Sequence, residues 1–265
     1  MPLTVADAQR WIASRSAGDF ILHLPAREKG SKAGIHSSPM QIDFSWQGTT
    51  APWKAEQQRV RELVRIESLG PLPRFVAGVD CAFSSDGKII RAAAVVYDRE
   101  AKTIIEQTTL DLPCLAPYVP TYLSFREAPA ILAVIERLKH PYGALLFDGQ
   151  GLAHPRRCGL ATHVGVLLDV PSVGVAKSRL IGTHAEPAVE AGSRVDLLDK
   201  SDVIGTVLRN RANVKPLYVS VGHRMDLESA AALVQACTTR YRLPEPTRVA
   251  DKLSKFGKKG LGSGV

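Results

Sequence analysis

One stretch constrains the fold more than any other: YGALLFDGQGLAHPRRCGLATHVGVLLDVPSVGVAK, residues 142–177. YGALLFDG reads as a short buried strand, CGLATHVGVLLD as a helix and PSVGVAK as a second buried strand. Two strands joined through a helix make a β-α-β unit, which needs a parallel pair inside a covered sheet. The chain must therefore build a layered α/β domain.

Upstream the pattern is antiparallel. RFVAGVDCAF (74–83) reads as a strand, SSDG as a turn, IIRAAAVVYD as its hairpin partner and 102–112 as a third strand. PCLAPYVPTY is too broken by proline for either regular form, and it leads into a helix beginning near Ser124 with Glu127 in its first turn. Downstream, DVIGTVLRN and PLYVSVG read as two further strands, 183–200 as a surface insertion and LESAAALVQACTTRY as the last helix, with Asp226 as its N-cap. The expected fold is a mixed α/β sheet, three antiparallel strands followed by parallel β-α-β units, flanked by helices.

Lys54 to Leu69 carries Val60, Leu63, Val64 and Glu67 at helical spacing and stops at Gly70. Ahead of it, Gly30, Gly34, Pro39, Gly48 and Pro52 break every long period, so 1–53 is an extension whose order the sequence does not set, with Met40 as a second conceivable start. Residues 54–251 form one domain, and 252–265 a basic, Gly-rich flexible tail.

A 45% apolar and 23% charged composition excludes a disordered or fibrous chain. No apolar run is long enough to span a membrane and the N-terminus lacks a basic region followed by an apolar core, so a cytoplasmic, membrane-free protein is expected, with no sign of an obligate dimer. Its four cysteines are scattered without a thiolate metal spacing and read as buried hydrophobes in a reducing compartment. The formal net charge of +8 points to a polyanionic partner. Seven Lys or Arg against two acids lie from Arg240 onward, so a flexible basic tail explains the excess equally well.

Three acids stand where buried elements meet loops: Asp80 in VAGVDCAF, Glu127 in SFREAP and Asp148 in LLFDGQG. A carboxylate there is costly unless a positive group binds it. A divalent cation would supply the charge, and oxygen ligands suit Mg²⁺ or Mn²⁺ together with a substrate phosphate. For any single acid, helix capping or pairing with Arg74, Arg126 or Arg156 is the commoner explanation.

His154, Arg156 and Arg157 follow the glycine-flexed loop after Asp148 and are candidates for phosphate contact. Lys177 closes SVGVAK, where it either neutralises charge at a scissile phosphate or is an ordinary surface lysine. His223 in SVGHRMD is a candidate water-positioning group or metal ligand, against a structural histidine. Tyr118 sits between Pro117 and Pro120, where a stiff backbone presents it either as a wedge into a base stack or as loop packing.

Together VAGVDCAF, PYVPTYLSFREAPAIL, LLFDGQGLAHPRRCGLATHVGVLLDVPSVGVAKSRL, YVSVGHRMDLESA and YRLPEPTRVAD resemble the endonuclease V family, over most of the chain from Lys54 to Asp251. The resemblance implies a ribonuclease H-like fold and Mg²⁺-dependent cleavage (Mn²⁺ substituting) of the second phosphodiester bond 3′ to a deoxyinosine in DNA, some members preferring inosine in RNA. It implies that Asp80, Glu127 and Asp148 hold the metal, that His223 joins the active site and that Lys177 lies near the scissile phosphate. Tyr118 would be the wedge, with Pro120, Thr121, Gly149, Gly151, His154, Arg156 and Arg157 around the substrate. One departure is Thr121, which stands where the family's motif has glycine. Two other readings share these residues: an inosine- or structure-specific binding protein without chemistry, and another ribonuclease H-like nuclease such as a junction resolvase.

Overall fold

A computed structural model describes residues 44–256. One eight-stranded sheet forms its centre. Helix α1 (Ala51–Glu62) leads into β1 (Phe75–Phe83), β2 (Ile89–Asp98) and β3 (Thr103–Pro113). Then come α2 (Leu123–Ile135), β4 (Ala144–Phe147), α3 (Leu160–Leu168) and β5 (Ser172–Ala176). The chain continues with β6 (Arg194–Asp199), β7 (Asp202–Leu208), β8 (Leu217–His223), α4 (Leu227–Ala236) and α5 (Glu245–Ser254).

The strand order is β3-β2-β1-β4-β5-β8-β7-β6. β1, β4 and β5 run parallel, and every other neighbouring pair is antiparallel. This is the mixed sheet expected from the alternation of hairpins and β-α-β units. The parallel centre is buried on both faces, so its strands are continuously apolar: Leu145, Leu146, Phe147, Val173 and Val175 are all fully buried.

Alternation along β1 divides the core. Ala77 and Val79 face a cluster that includes Val60 of α1, Phe125 and Ile131 of α2 and Val164 of α3. Val76 faces the other cluster, with Leu146 of β4 and Leu233 and Val234 of α4. Phe44 and Trp53 also belong to the first cluster, Trp53 stacking on Phe125 at 4.8 Å between ring centroids. The packed core thus reaches back at least to Phe44. Residues 1–43 and 257–265, which hold most of the N-terminal extension and of the basic tail, lie outside the described residues.

Three elements differ from expectation. Helix α1 ends at Glu62 rather than near Leu69 because the following backbone bonds to the end of β8: Arg65 N–H donates to His223 Nδ1 (3.2 Å) and Arg65 O accepts from Arg224 N–H (2.8 Å). The segment 183–200 is not only a surface insertion, since it contains β6, whose buried Leu197 pairs opposite Gly205 of β7. And α4 is not the last helix. It stops at Ala236, and α5 follows from Glu245 with proline in its first turn. The expected N-cap is in place, Asp226 accepting from Ser229 N–H at 2.6 Å. Cys158 and Cys237 are buried, whereas Cys81 and Cys114 are only half-buried.

Among the described residues no helix is long and apolar enough to cross a membrane.

Candidate active site

Strand register brings the first two acids together. Val79 of β1 pairs with Phe147 of β4 in parallel, so Asp80, inside β1 rather than at its end, lies level with Asp148, the residue that follows β4. Both fall on the Val76 and Leu146 side of the sheet, the side that α5 covers over β1. A helix can approach this closely because Gly78 has no side chain: a Cβ there would lie 2.3 Å from the Pro246 carbonyl carbon. The approach delivers Asp251 of α5 to the other two acids. One carboxylate oxygen from each of Asp80, Asp148 and Asp251 lies within 4.8 Å of the others.

Cations and a hydroxyl complete the cluster. Lys177 follows the last residue of β5 and places Nζ 2.5 Å from Asp148 Oδ2 and 3.0 Å from Asp251 Oδ1. Lys255 Nζ meets Asp251 Oδ2 at 2.5 Å, and Ser254 Oγ lies 3.2 Å from Asp80 Oδ2.

The electrostatics are those of a site short of positive charge. Burial, then the Asp148 and Asp251 carboxylates, push the Asp80 pKa up to about 7. Glu127, reaching the acids from α2, is pushed up to about 8 by burial and then by Asp80 and Asp148. Burial also raises Asp148, outweighing its Lys177 partner. Burial opposes the charge of Lys177, but its two carboxylate partners hold it up to about 12.

The arginines named as ion-pair partners for the acids are engaged elsewhere. Arg74 pairs with Asp98 at 2.7 Å, Arg126 lies over the Phe83 ring at 3.9 Å and Arg156 bonds to Gln57 and Thr121. Simple ion pairing of the three acids with these arginines is therefore not what the fold does.

His223 does not reach this cluster. β8 runs antiparallel to β5, and His223 pairs with Ser172 at the end of β5 opposite to Lys177. There it is buried, accepts from Arg65 N–H and bonds through Nε2 to Asp169 Oδ1 at 3.1 Å. Its place at the far end of the sheet corrects the expectation of a catalytic or metal-binding role. It ties the segment after α1 to the turn before β5.

The loop after Asp148 also differs from a free phosphate cradle. Arg157 pairs with Asp199 at 2.7 Å, and His154 is buried with Nε2 2.9 Å from the Thr121 carbonyl oxygen. Gly151 is a packing requirement, since a Cβ would meet Val221 O at 2.1 Å. Gly149 makes no such demand, since a Cβ there would meet only Leu160, at 3.8 Å. Tyr118 is 64% exposed on the loop between β3 and α2, with Pro117 and Pro120 exposed on either side. Thr121 adopts φ +68°, which explains why this position suits glycine.

The sequence reading missed Asp251. The signals were the PEP tripeptide marking a helix start and the stripe Pro246, Thr247, Ala250 and Ser254, which α5 buries. Two of those four are polar, so the stripe is faint as a hydrophobic pattern.

Comparison with known proteins bears on the family and the fold. A family model for Endonuclease V matches residues 58–252. An Endonuclease V of Rippkaea orientalis is 47% identical over 215 residues, covering 81% of this chain and 94% of that protein. The crystal structure of Endonuclease V from Streptomyces avermitilis matches with a TM-score of 0.76 at 41% identity, covering 80% of this chain and 94% of that one. Endonuclease V of Ciona intestinalis, solved with a 23mer DNA containing an inosine followed by a ribo-adenosine, matches with a TM-score of 0.69 at 28% identity, covering 79% and 96%. The sheet described above is accordingly ribonuclease H-like.

Proposed function

The chain belongs to the endonuclease V family, and we propose that it is a divalent-cation-dependent endonuclease that recognises deoxyinosine in DNA and hydrolyses the second phosphodiester bond on its 3′ side, leaving 3′-hydroxyl and 5′-phosphate ends. The observation that carries the chemistry is the convergence of Asp80, Asp148 and Asp251 within 4.8 Å over the central strands of the sheet.

This donor set fits a hard cation. It offers carboxylate oxygens only, and the raised Asp80 and Glu127 mark an uncompensated negative charge that an ion would relieve. Asp80, Asp148 and Asp251 would hold the ion, with Glu127 beside them; Mg²⁺ is the proposed metal and Mn²⁺ its substitute. When bound, such an ion supplies Lewis acidity to the scissile phosphate.

The chain's own groups do the rest. Lys177, already paired to two of the acids, stands where it can offset charge on a phosphate oxygen as the bond breaks. Tyr118 is exposed on a proline-stiffened loop just ahead of the helix that carries Glu127, the position a stacking wedge requires. The net charge of +8 favours a polyanionic substrate.

The test is Mg²⁺-dependent cleavage of matched oligonucleotides carrying one deoxyinosine in DNA, one inosine in RNA, or neither, with Asp148→Asn in parallel. Cutting at the second bond 3′ to deoxyinosine, lost in Asp148→Asn while inosine binding persists, is the expected result. Binding without cleavage in either Mg²⁺ or Mn²⁺ would overturn it.

A further inference from the structure

The loop bearing Tyr118 is fastened from three directions at one residue, Thr121. We propose that Arg156 is a positioning residue for lesion recognition, holding the Tyr118 loop in its reading conformation through Thr121 rather than binding phosphate. The inference rests on the reading of Tyr118 given above.

Thr121 lies at φ +68°, a left-handed conformation that a β-branched residue adopts only when its surroundings impose it. Its carbonyl oxygen meets Gln57 Nε2 at 3.1 Å, His154 Nε2 at 2.9 Å and Arg156 Nη2 at 2.7 Å. A carbonyl has two lone pairs, so three donors from α1 and the loop after β4 more than saturate it. Arg156 Nη2 also reaches Thr121 Oγ1 at 2.6 Å, and its guanidinium lies 4.1 Å over the ring of Tyr122.

The partners are themselves fixed. Gln57 is fully buried and directs its amide nitrogen to Thr121 O and also to Cys158 O at 3.1 Å, which leaves Oε1 to accept from Arg156 Nε at 2.5 Å. His154 accepts the Arg156 backbone N–H at Nδ1 (3.2 Å), so its proton sits on Nε2 and donates to Thr121. Burial pulls the His154 pKa down to about 4, so this tautomer is neutral at physiological pH. The network thus links the loop after Asp148 to the loop of Tyr118, three residues before Thr121. Arg156 forms no ion pair among the described residues, and phosphate contact is the competing role for its charge.

The two roles differ in salt dependence. Single-turnover cleavage in Mg²⁺ gives the half-saturating enzyme concentration and maximal rate on a deoxyinosine duplex. Competition by an inosine-free duplex gives the affinity for undamaged DNA, and both are measured across salt for the full-length wild type, Arg156→Met and Thr121→Val. As a positioning residue, Arg156→Met weakens half-saturation on the deoxyinosine duplex by about fivefold or more while the maximal rate and competitor affinity stay within about twofold. The slope of log affinity against log salt is unchanged.

Equal weakening on both duplexes, with a slope shallower by about 0.9, makes Arg156 a phosphate ligand and overturns the inference. An unchanged half-saturation overturns it too. Thr121→Val keeps the branched shape and removes only the Oγ1 acceptor; it moves half-saturation in the same direction by a smaller factor and decides the matter if Arg156→Met does not fold. A wild type that binds both duplexes alike refutes the reading of lesion recognition itself, whereas a discriminating wild type matched by an equally discriminating Arg156→Met refutes only the role of Arg156.

Discussion

Asp80→Asn should make the metal-free protein more stable at pH 8 while destroying its metal chemistry. The Asp80 carboxyl titrates at about 7 in the fold against an ordinary 3.8, because burial and the neighbouring Asp148 and Asp251 disfavour its charge. In the sign of that linkage, the folded state holds the proton more tightly than the unfolded chain. Stability from this group is therefore full below the unfolded pKa and is lost as pH rises towards the folded one. At about 1.4 kcal/mol per pH unit the whole effect approaches about 4 kcal/mol, and because the proton is shared among coupled carboxyls we expect about 2 kcal/mol from this substitution alone. Asparagine keeps an oxygen for the Ser254 hydroxyl, 3.2 Å from Asp80 Oδ2, so packing is little disturbed. Urea unfolding in EDTA is the assay, at pH 5 and pH 8. Asp80→Asn should exceed the wild type at pH 8, and the gap should shrink at pH 5, where Asp80 is already protonated in the fold. Added Mg²⁺ should stabilise only the wild type at pH 8. A variant no more stable at pH 8, or one equally stabilised at both pH values, would refute the reasoning that Asp80 is held in uncompensated charge.

Tyr118→Ala should lose about 1–3 kcal/mol of affinity for deoxyinosine duplex, the scale of one base–aromatic stack, with the maximal cleavage rate nearly retained; gel-shift affinity equal to wild type counts against the wedge. Gly78→Ala drives a methyl group into Pro246 and should displace α5, costing about 1–3 kcal/mol of stability and weakening Mg²⁺ binding measured by calorimetry; intact metal affinity would show that Asp251 is not a ligand. His223→Gln should lower the unfolding midpoint but leave the single-turnover rate in saturating Mg²⁺ close to wild type, since His223 sits at the far end of β5; a rate loss of about a hundredfold or more would return it to the active site.

How legible each part was follows the range of the interactions behind it. β1, β4, β5 and α3 were readable because burial on both faces of a parallel sheet leaves a local apolar run bounded by glycine and proline. The α1 boundary was not, because the backbone of Arg65 bonds to His223 and Arg224, residues some 158 positions away in the chain, and no local propensity records that. Asp148 announced itself as a charge at the end of a buried strand and Asp80 as a charge inside one. Asp251 carries no such mark. It lies on an outer helix next to lysine, and only the contact of Pro246 with Gly78 shows which way it faces.

The cations after Asp148 show a further limit of sequence. Two arginines and a histidine beside a strand-end acid suggest phosphate contacts, yet the fold draws Arg157 to Asp199 and turns Arg156 and His154 to Thr121. Cation and acid are close in sequence because one loop must both place Asp148 at the end of a central strand and brace the neighbouring loops around it. The charge that does meet Asp148 comes from Lys177 at the end of the adjacent strand. In a parallel sheet, residues that register brings level at the C-terminal ends of neighbouring strands converge whatever their distance along the chain. The site is thus specified by strand register, which aligns Asp80, Asp148 and Lys177, and by one missing side chain at Gly78, which admits Asp251.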